Sequence, residues 1–398
     1  MDSVNKRTLQ QRLSDSPDWL FSAVAMFAAF ATYFCMYAFR KPFTASGYTD
    51  LQFFGTAIEL KTALVVSQLI GYTLSKFIGI KVISELTAAH RPWMIIALAF
   101  LSLILFAVLP VQWKFVAIFL NGVPLGMVWG LVVSYMEGRK SSDLLLAGLA
   151  CSFILASGVV KDVGRWLIRD MGFTEFWMPA ATGAMFLIPF GLAVWLLEQL
   201  PKPTEEDKAI RCERTAMTGP ERWAFIRTFF GGLVLLVIFY LLLSAYRDYR
   251  DNYQLELFQA LNYGDEPAIF SFSETLVAFG VMLVMGVLNL IKSNSRGFFA
   301  SYIVMALGLI LIGVSGWLLR QQQINGLTWM VCTGLGSYLA YVPFNTLLFE
   351  RMMAYTRFGG TAVFAIYLAD SAGYTGSVAL QLYKDMGKSN VTRLDFFL

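Results

Sequence analysis

The sequence predicts an all-α integral membrane protein built as two helical bundles. Three observations carry that prediction. Of 398 residues, 57% are hydrophobic and only 15% charged, where soluble domains carry about a quarter charged residues. The apolar residues come in long runs, which read as spanning helices rather than the short alternating strands of a barrel. One long polar stretch, PKPTEEDKAIRCERTAMTGPER at 201–222, divides the runs into two groups.

A span needs roughly 20 apolar residues. Runs of this kind lie at 20–43, 58–83, 93–111, 113–136, 144–166, 174–198, 223–246, 268–291, 297–319, 327–349 and 358–381, which makes eleven. The organisation that follows is a cytoplasmic N-terminal segment 1–19, a six-helix bundle 20–200, a cytoplasmic linker 201–222, and a second bundle 223–398 with five spans. Paired halves need one more span, so the twelfth reads as absent or truncated, with the closing LDFFL as its first turn. With the N-terminus inside, inner segments hold fifteen Lys and Arg residues, Lys202, Lys208, Arg211, Arg214 and Arg222 of the linker among them, against nine outside. The positive-inside rule therefore places the N-terminus in the cytoplasm. Residues 1–19 carry charges of both signs, and no small-residue cleavage site follows Leu20–Phe39, so the first span is retained rather than removed as a signal.

Composition also excludes function classes. A net charge of +4, spread along the chain, does not point to nucleic acid. Cys35, Cys151, Cys212 and Cys332 have no CxxC spacing, which indicates neither a disulfide framework nor a metal site. The one histidine, His90, sits in a polar loop beside Arg91. With no His-Asp cluster, nucleophile elbow or nucleotide loop, the sequence offers no activated reacting group and no cofactor motif, so an enzyme is not expected. The expected partners are the lipid bilayer and a small solute, with the chain acting as a monomer.

Charged residues inside the spans need a reason, because an ionisable side chain in hydrocarbon costs at least about 2.5 kcal/mol unless it finds water or a partner. In YFCMYAFRKPFT (33–44) a charge-free run ends abruptly at Arg40 and Lys41. At helical spacing Tyr33, Tyr37, Arg40 and Thr44 share a face. Two readings stay open: an anion site, or a pair that marks the membrane edge by snorkelling. In the second span Gln68, Tyr72 and Lys76 repeat every four residues, and Lys76 lies deep in the run. The fifth span carries the row Ser157, Lys161 and Arg165 with Asp162 adjacent; each charge reads as paired with another helix or as a ligand or coupling group. YRDYRDNY (246–253) packs Arg247, Asp248, Arg250 and Asp251 into one turn, either a solvated outer loop or part of a site. Glu274 follows FSFS in the eighth span. The tenth adds Tyr338, Tyr341 and Asn345. In the eleventh Tyr367, Asp370, Tyr374 and Ser377 share a face, with Asp370 either an interhelical contact or a proton-coupling carboxylate.

YAFRKPF in the first span and GYTLSKFIGIKVISE in the second resemble the organophosphate:phosphate antiporter branch of the major facilitator superfamily, which includes glycerol-3-phosphate and hexose-phosphate transporters. The family's basic pair matches Arg40 and Lys41, and its Ser-Lys-Phe segment matches Ser75, Lys76 and Phe77. Asp248 and Tyr253, Glu274, and GGTAVFAIY (359–367) are similar to later parts of the family pattern. The resemblance departs at two places. The family's second phosphate-binding arginine would fall near Leu243, with Arg247 one turn further on, and ACSFILASGVVK lacks the family's histidine. The gate loop between the second and third helices is altered to KVISELTAAHR, where Glu85 and Arg91 stand in.

The resemblance implies a major facilitator fold in a bacterial inner membrane and a secondary transporter, or a non-transporting sensor, for a small organic anion such as a phosphate ester. It implies exchange for phosphate or coupling to protons through Asp370 or Glu274. It also implies that the first helix runs on past Pro42 so that Arg40 enters a central cavity, with Tyr37, Lys76, Tyr72, Arg247, Tyr341 and Tyr367 around the substrate. Lys41 is then expected to pair with Glu274 across the halves, and Asp248 to neutralise a basic group, with Arg247 the nearest.

Overall fold

The apolar runs form helices, and their order reproduces the two bundles. The computed structural model describes residues 8–85, 91–136, 142–201, 219–356, 362–388 and 390–398. In the first bundle are α1 (Asp18–Tyr37), α2 (Leu60–Glu85), α3 (Arg91–Val108), α4 (Lys114–Leu125, resuming as Val128–Met136), α5 (Ser142–Arg169) and α6 (Met178–Glu198). The second holds α7 (Gly219–Asn252), α8 (Ile269–Asn289), α9 (Asn294–Arg320), α10 (Gly326–Pro343) and α11 (Ala362–Gly387). A π-turn at Phe344–Leu348 carries α10 into a further helix, Phe349–Thr356. The end of the molecule where α6 stops and α7 starts is called the linker end, and the opposite end the distal end.

Packing explains which helices are apolar. Six segments are long and apolar enough to cross a membrane by composition alone: Trp19–Tyr37, Val111–Val133, Met178–Glu198, Trp223–Asn252, Ile269–Asn289 and Asn294–Arg320. By contrast α2, α5, α10 and α11 carry more polar residues. Three of these four meet the other half, since α5 packs along α8 and α2 against α11. A polar side chain is tolerated at membrane depth where protein or water covers it. The protein is a multi-pass integral membrane protein with a two-bundle, all-α fold.

Three details differ from the sequence expectation. First, α1 does not run on past the basic pair. It ends at Tyr37, the chain tightens through Ala38 to Lys41, and a short 3₁₀ turn follows at Pro42–Ala45. Proline has no N–H to donate and its ring clashes with the carbonyl four residues back, so the α-helix stops before it. The carbonyls this frees are satisfied by side chains, as they must be inside a bilayer. Gln68 Nε2 donates to the Arg40 carbonyl (2.9 Å), and Asn121 Nδ2 donates to the carbonyl of Phe39 (3.0 Å). Asn121 also donates to Ala99 O (3.1 Å) and accepts from Gln68 Nε2 (2.9 Å).

Second, α7 continues to Asn252, beyond the expected end of the span at 246, so all but the last residue of YRDYRDNY is helical and of its two readings the solvated loop falls. Third, all of LDFFL but its last residue lies in a short helix, Arg393–Phe397, folded back onto the distal end. There Phe397 stacks on Tyr246 (4.4 Å between centroids) and meets Trp329 edge-on (5.8 Å).

The α5–α8 contact is unusually intimate. α8 starts after Ala268, whose φ is +53°, and no side chain of its own caps it. Asp162 from α5 does so instead, accepting the N–H of Ser271 (2.6 Å) and of Phe270 (3.4 Å). This satisfies two of the donors every helix start leaves open. Close approach requires Gly158, where an added Cβ would lie 2.6 Å from the Phe270 carbonyl oxygen.

Asn121→Leu should therefore strand the Phe39 carbonyl, at about 1–3 kcal/mol, whereas Ala99 O keeps the Ser102 hydroxyl as a donor. A lower melting midpoint in detergent is the expected result, and an unchanged midpoint would show that the Phe39 carbonyl finds another donor.

Candidate functional site

A cavity of about 830 Å³, counting the part open to solvent, lies between the bundles. Its lining includes Arg40, Lys41, Arg247, Asp248, Asp251 and Asp370 among charged residues. Aromatic rings make up much of the rest: Tyr33, Tyr37, Tyr72 and Trp129 from the first half, Tyr338, Tyr341 and Tyr374 from the second.

Each cation lining this cavity is held differently. The Arg40 guanidinium lies over Tyr72 (4.3 Å to the ring centroid) and near Tyr37 (5.5 Å). It reaches the Tyr37 hydroxyl at 3.4 Å, and its Nε is buried without a hydrogen-bond partner. No carboxylate among the described residues pairs with it. Arg247 is stacked on Tyr341 (3.6 Å) and its charge is answered next door, Nη2 donating to Asp248 Oδ1 at 2.6 Å. Lys41, one residue from Arg40, turns away to form an ion pair with Asp251 on α7 and donates to Asn252 Oδ1 (2.8 Å). The break in α1 sends these neighbouring cations in different directions.

Asp251 also serves α5. Lys161 Nζ donates to its Oδ1 (2.7 Å) and to its carbonyl (2.6 Å), and Ser157 Oγ donates to the same Oδ1 (2.5 Å). Lys161 continues to Gln254 Oε1 (2.9 Å), whose amide donates to Glu274 Oε1 (2.7 Å). Glu274 closes the chain on Arg250 Nη1 at 2.9 Å, both side chains being 1–2% exposed. The expected Lys41–Glu274 pair is thus not formed. Arg250 lies in the same half as Glu274 and takes its carboxylate, while the turn after Tyr37 aims Lys41 at α7 rather than α8.

More cross-half contacts lie at the distal end. Lys61 pairs with Glu256 (2.6 Å), and Arg393 bridges Glu59 (2.6 Å) and Asp385 (3.0 Å). Thr62 and the Tyr253 hydroxyl share a hydrogen bond (2.7 Å), and Arg165 donates to Gly264 O (2.5 Å).

The sequence candidates therefore separate. Arg40, Tyr37, Tyr72, Arg247, Asp248, Tyr341 and Asp370 line the cavity; Asp370 accepts from Tyr240 OH (2.5 Å). Lys161, Asp162 and Glu274 lie in the interface or within the second half. The side chains of Lys76, Phe77, Tyr367, Asn345, Glu85 and Arg91, and all of His90 and Cys212, fall outside the described residues. Tyr33 and Asp251 are marked in the sequence only indirectly, Tyr33 by sharing a face with Arg40 and Asp251 as one of the paired charges in YRDYRDNY. Asn252, Trp129 and Phe153 carry no signal, the last two because they sit in apolar runs that mark nothing.

The family of unknown function DUF5690 matches residues 42–398. The chain belongs to it. No protein of curated function matches the chain. Among solved structures, it is similar to a D-xylose-proton symporter (13% identity, covering 93% of this chain and 90% of that one, TM-score 0.61). It is also similar to the nucleoside transporter NupG (14%, 95% and 94%, TM-score 0.60) and to a POT family transporter in complex with 5-aminolevulinic acid (14%, 95% and 93%, TM-score 0.60). At these identities the likeness shows the fold, and the DUF5690 chain has the major facilitator fold.

Asp251→Asn leaves two buried lysines without an acid, a loss of about 3–5 kcal/mol for a broken buried pair. The distal closure should loosen: Thr62→Cys, at a side chain now fully buried, should react faster with a membrane-impermeant thiol reagent in the Asp251→Asn background. Equal rates would show that Asp251 does not hold the halves together.

Proposed function

We propose that this protein is a secondary transporter for a small organic anion, a phosphate ester or similar molecule, working by alternating access. The observation that carries the reading is Arg40: the cavity's one described cation without a carboxylate, braced on tyrosine rings, with Nε lacking an acceptor. A guanidinium offers paired donors that fit carboxylate or phosphate oxygens. Arg247 is paired with Asp248, and Lys41 is held by Asp251, which it shares with Lys161, so the cation with no acid of its own, and the one an incoming anion meets unshared, is Arg40. Tyr37, Tyr72 and Tyr341 supply hydroxyls and ring faces for the rest of the substrate, with Lys76 and Tyr367 as further members from the sequence pattern.

In this reading the N-terminus and the linker end face the cytoplasm of a bacterial inner membrane, and the distal latch closes the outer side. Substrate at Arg40 would draw on Lys41 next to it and weaken its hold on Asp251, letting the halves rock. Exchange for phosphate belongs to the resemblance. Proton coupling is better assigned to Asp370, which lines the cavity, than to Glu274, which is committed to Arg250.

The second reading is a sensor that binds the anion without moving it. The density of cross-half ion pairs favours it, because every one of them must separate for the distal end to open.

A thermal-shift panel of phosphate esters, phosphonates, carboxylates and sugar acids should identify a stabilising anion, since a ligand stabilises the state it binds. With that anion, Arg40→Lys keeps the charge but loses the planar fork, costing about 1.5–3 kcal/mol, or roughly ten- to a hundredfold in affinity. Full transport by folded, inserted Arg40→Lys protein would overturn the site. Counterflow in proteoliposomes separates transporter from sensor: binding without exchange means the sensor.

A further inference from the structure

In the first bundle α6 packs against both α1 and α3 and covers the space between them. Among the described residues the second bundle has no helix in the matching place between α7 and α9. Leu235, Ile238 and Leu242 of α7 and Ile303, Leu307 and Ile310 of α9 stay exposed on these helices. At the distal end of this gap is a groove of about 620 Å³, open space included, whose lining includes Tyr246, Gly313, Gly316, Trp329, Phe397 and Arg320.

Two polar features in this apolar groove have no partner. Trp329 is 1% exposed, and its indole N–H has no acceptor. The nitrogen is aimed at the groove, since it is the one atom near Gly316, 4.0 Å from where a Cβ would stand. Over Gly313 nothing lies within 4 Å. At the rim, where α9 ends, the exposed Arg320 makes no ion pair or hydrogen bond among the described residues. A buried donor without an acceptor costs stability, so it points to a missing acceptor oxygen.

We propose that this groove binds one anionic phospholipid. Its acyl chain lies over Gly313 and Gly316, the Trp329 indole donates to a glycerol ester carbonyl, and Arg320 holds the phosphate. A transmembrane helix laid over α7 and α9 would supply the apolar surface, but its backbone carbonyls are engaged along its own axis and it carries no phosphate for Arg320. A glycerophospholipid has ester and phosphate oxygens free, and at the depth where a helix ends, Trp and Arg stand at the level of headgroups.

Native mass spectrometry of the full chain, released from mixed micelles with equal phosphatidylglycerol and phosphatidylethanolamine, tests this. The expected result is one retained lipid, phosphatidylglycerol in preference. Gly316→Leu, which fills the groove, should cut retention at least tenfold, and Arg320→Gln should abolish the headgroup preference. Wild-type protein that retains no lipid overturns the proposal, as does Gly316→Leu protein of unchanged melting midpoint that keeps it. A dimer dissociated by Gly316→Leu assigns the groove to a second copy instead. If Gly316→Leu does not fold, the exposed Arg320→Gln decides, and a preserved headgroup preference overturns the proposal.

Discussion

One carboxylate ties the two halves together. Asp251 on α7 takes an ammonium from the turn after α1 and another from α5, both belonging to the other bundle. In a medium of low dielectric two lysines this close repel strongly, and the acid between them turns repulsion into attachment. From there the signs alternate along a continuous path: Lys41, Asp251, Lys161, then through Gln254 to Glu274 and Arg250. Such a string is worth more for position than for stability, because burying each charge offsets most of what pairing it returns. It sets the rotation of α7, which in turn aims Arg247 and Asp248 at the cavity.

The cavity inherits its character from how the cations are shared out. Arg40 and Lys41 are neighbours in sequence, yet the break before Pro42 gives one to the cavity and one to the interface. Gln68 and Asn121 make that break tolerable by covering the carbonyls it exposes. Their role shows how a membrane protein can hold irregular backbone beside a water-accessible space: the cost is met by side chains from neighbouring helices.

Long apolar runs and the two-bundle plan could be read directly from the sequence, because hydrocarbon imposes helix and length together. So could the shared face of Tyr37 and Arg40, since residue spacing is a local property; that this face fronts a cavity is implied only by the resemblance. Partner choice could not. The resemblance implies Glu274 as the partner of Lys41, and the actual acid, Asp251, lies on α7, because a turn of a few residues after Tyr37 redirects the side chain. Likewise YRDYRDNY reads equally as a solvated loop or as part of a site; what decides it is that the turn after α1, α5, α8 and α10 supply partners for its charges, which is tertiary information. The aromatic wall of Trp129 and Phe153 is invisible for the opposite reason, since an aromatic in an apolar run carries no mark of the side it faces.

The cap that Asp162 places on α8 bears on how the protein is made. α8 emerges from the ribosome with its first N–H groups unanswered, and the carboxylate that answers them belongs to a helix synthesised more than a hundred residues earlier. The first bundle is thus a template already standing in the bilayer when the second is delivered. Its α5 offers Asp162 at one site and Lys161 at the next, so it catches both the start of α8 and the end of α7. Docking of the halves is then a late step of biogenesis directed by the earlier-made half, and the order of synthesis becomes part of the information that specifies the fold.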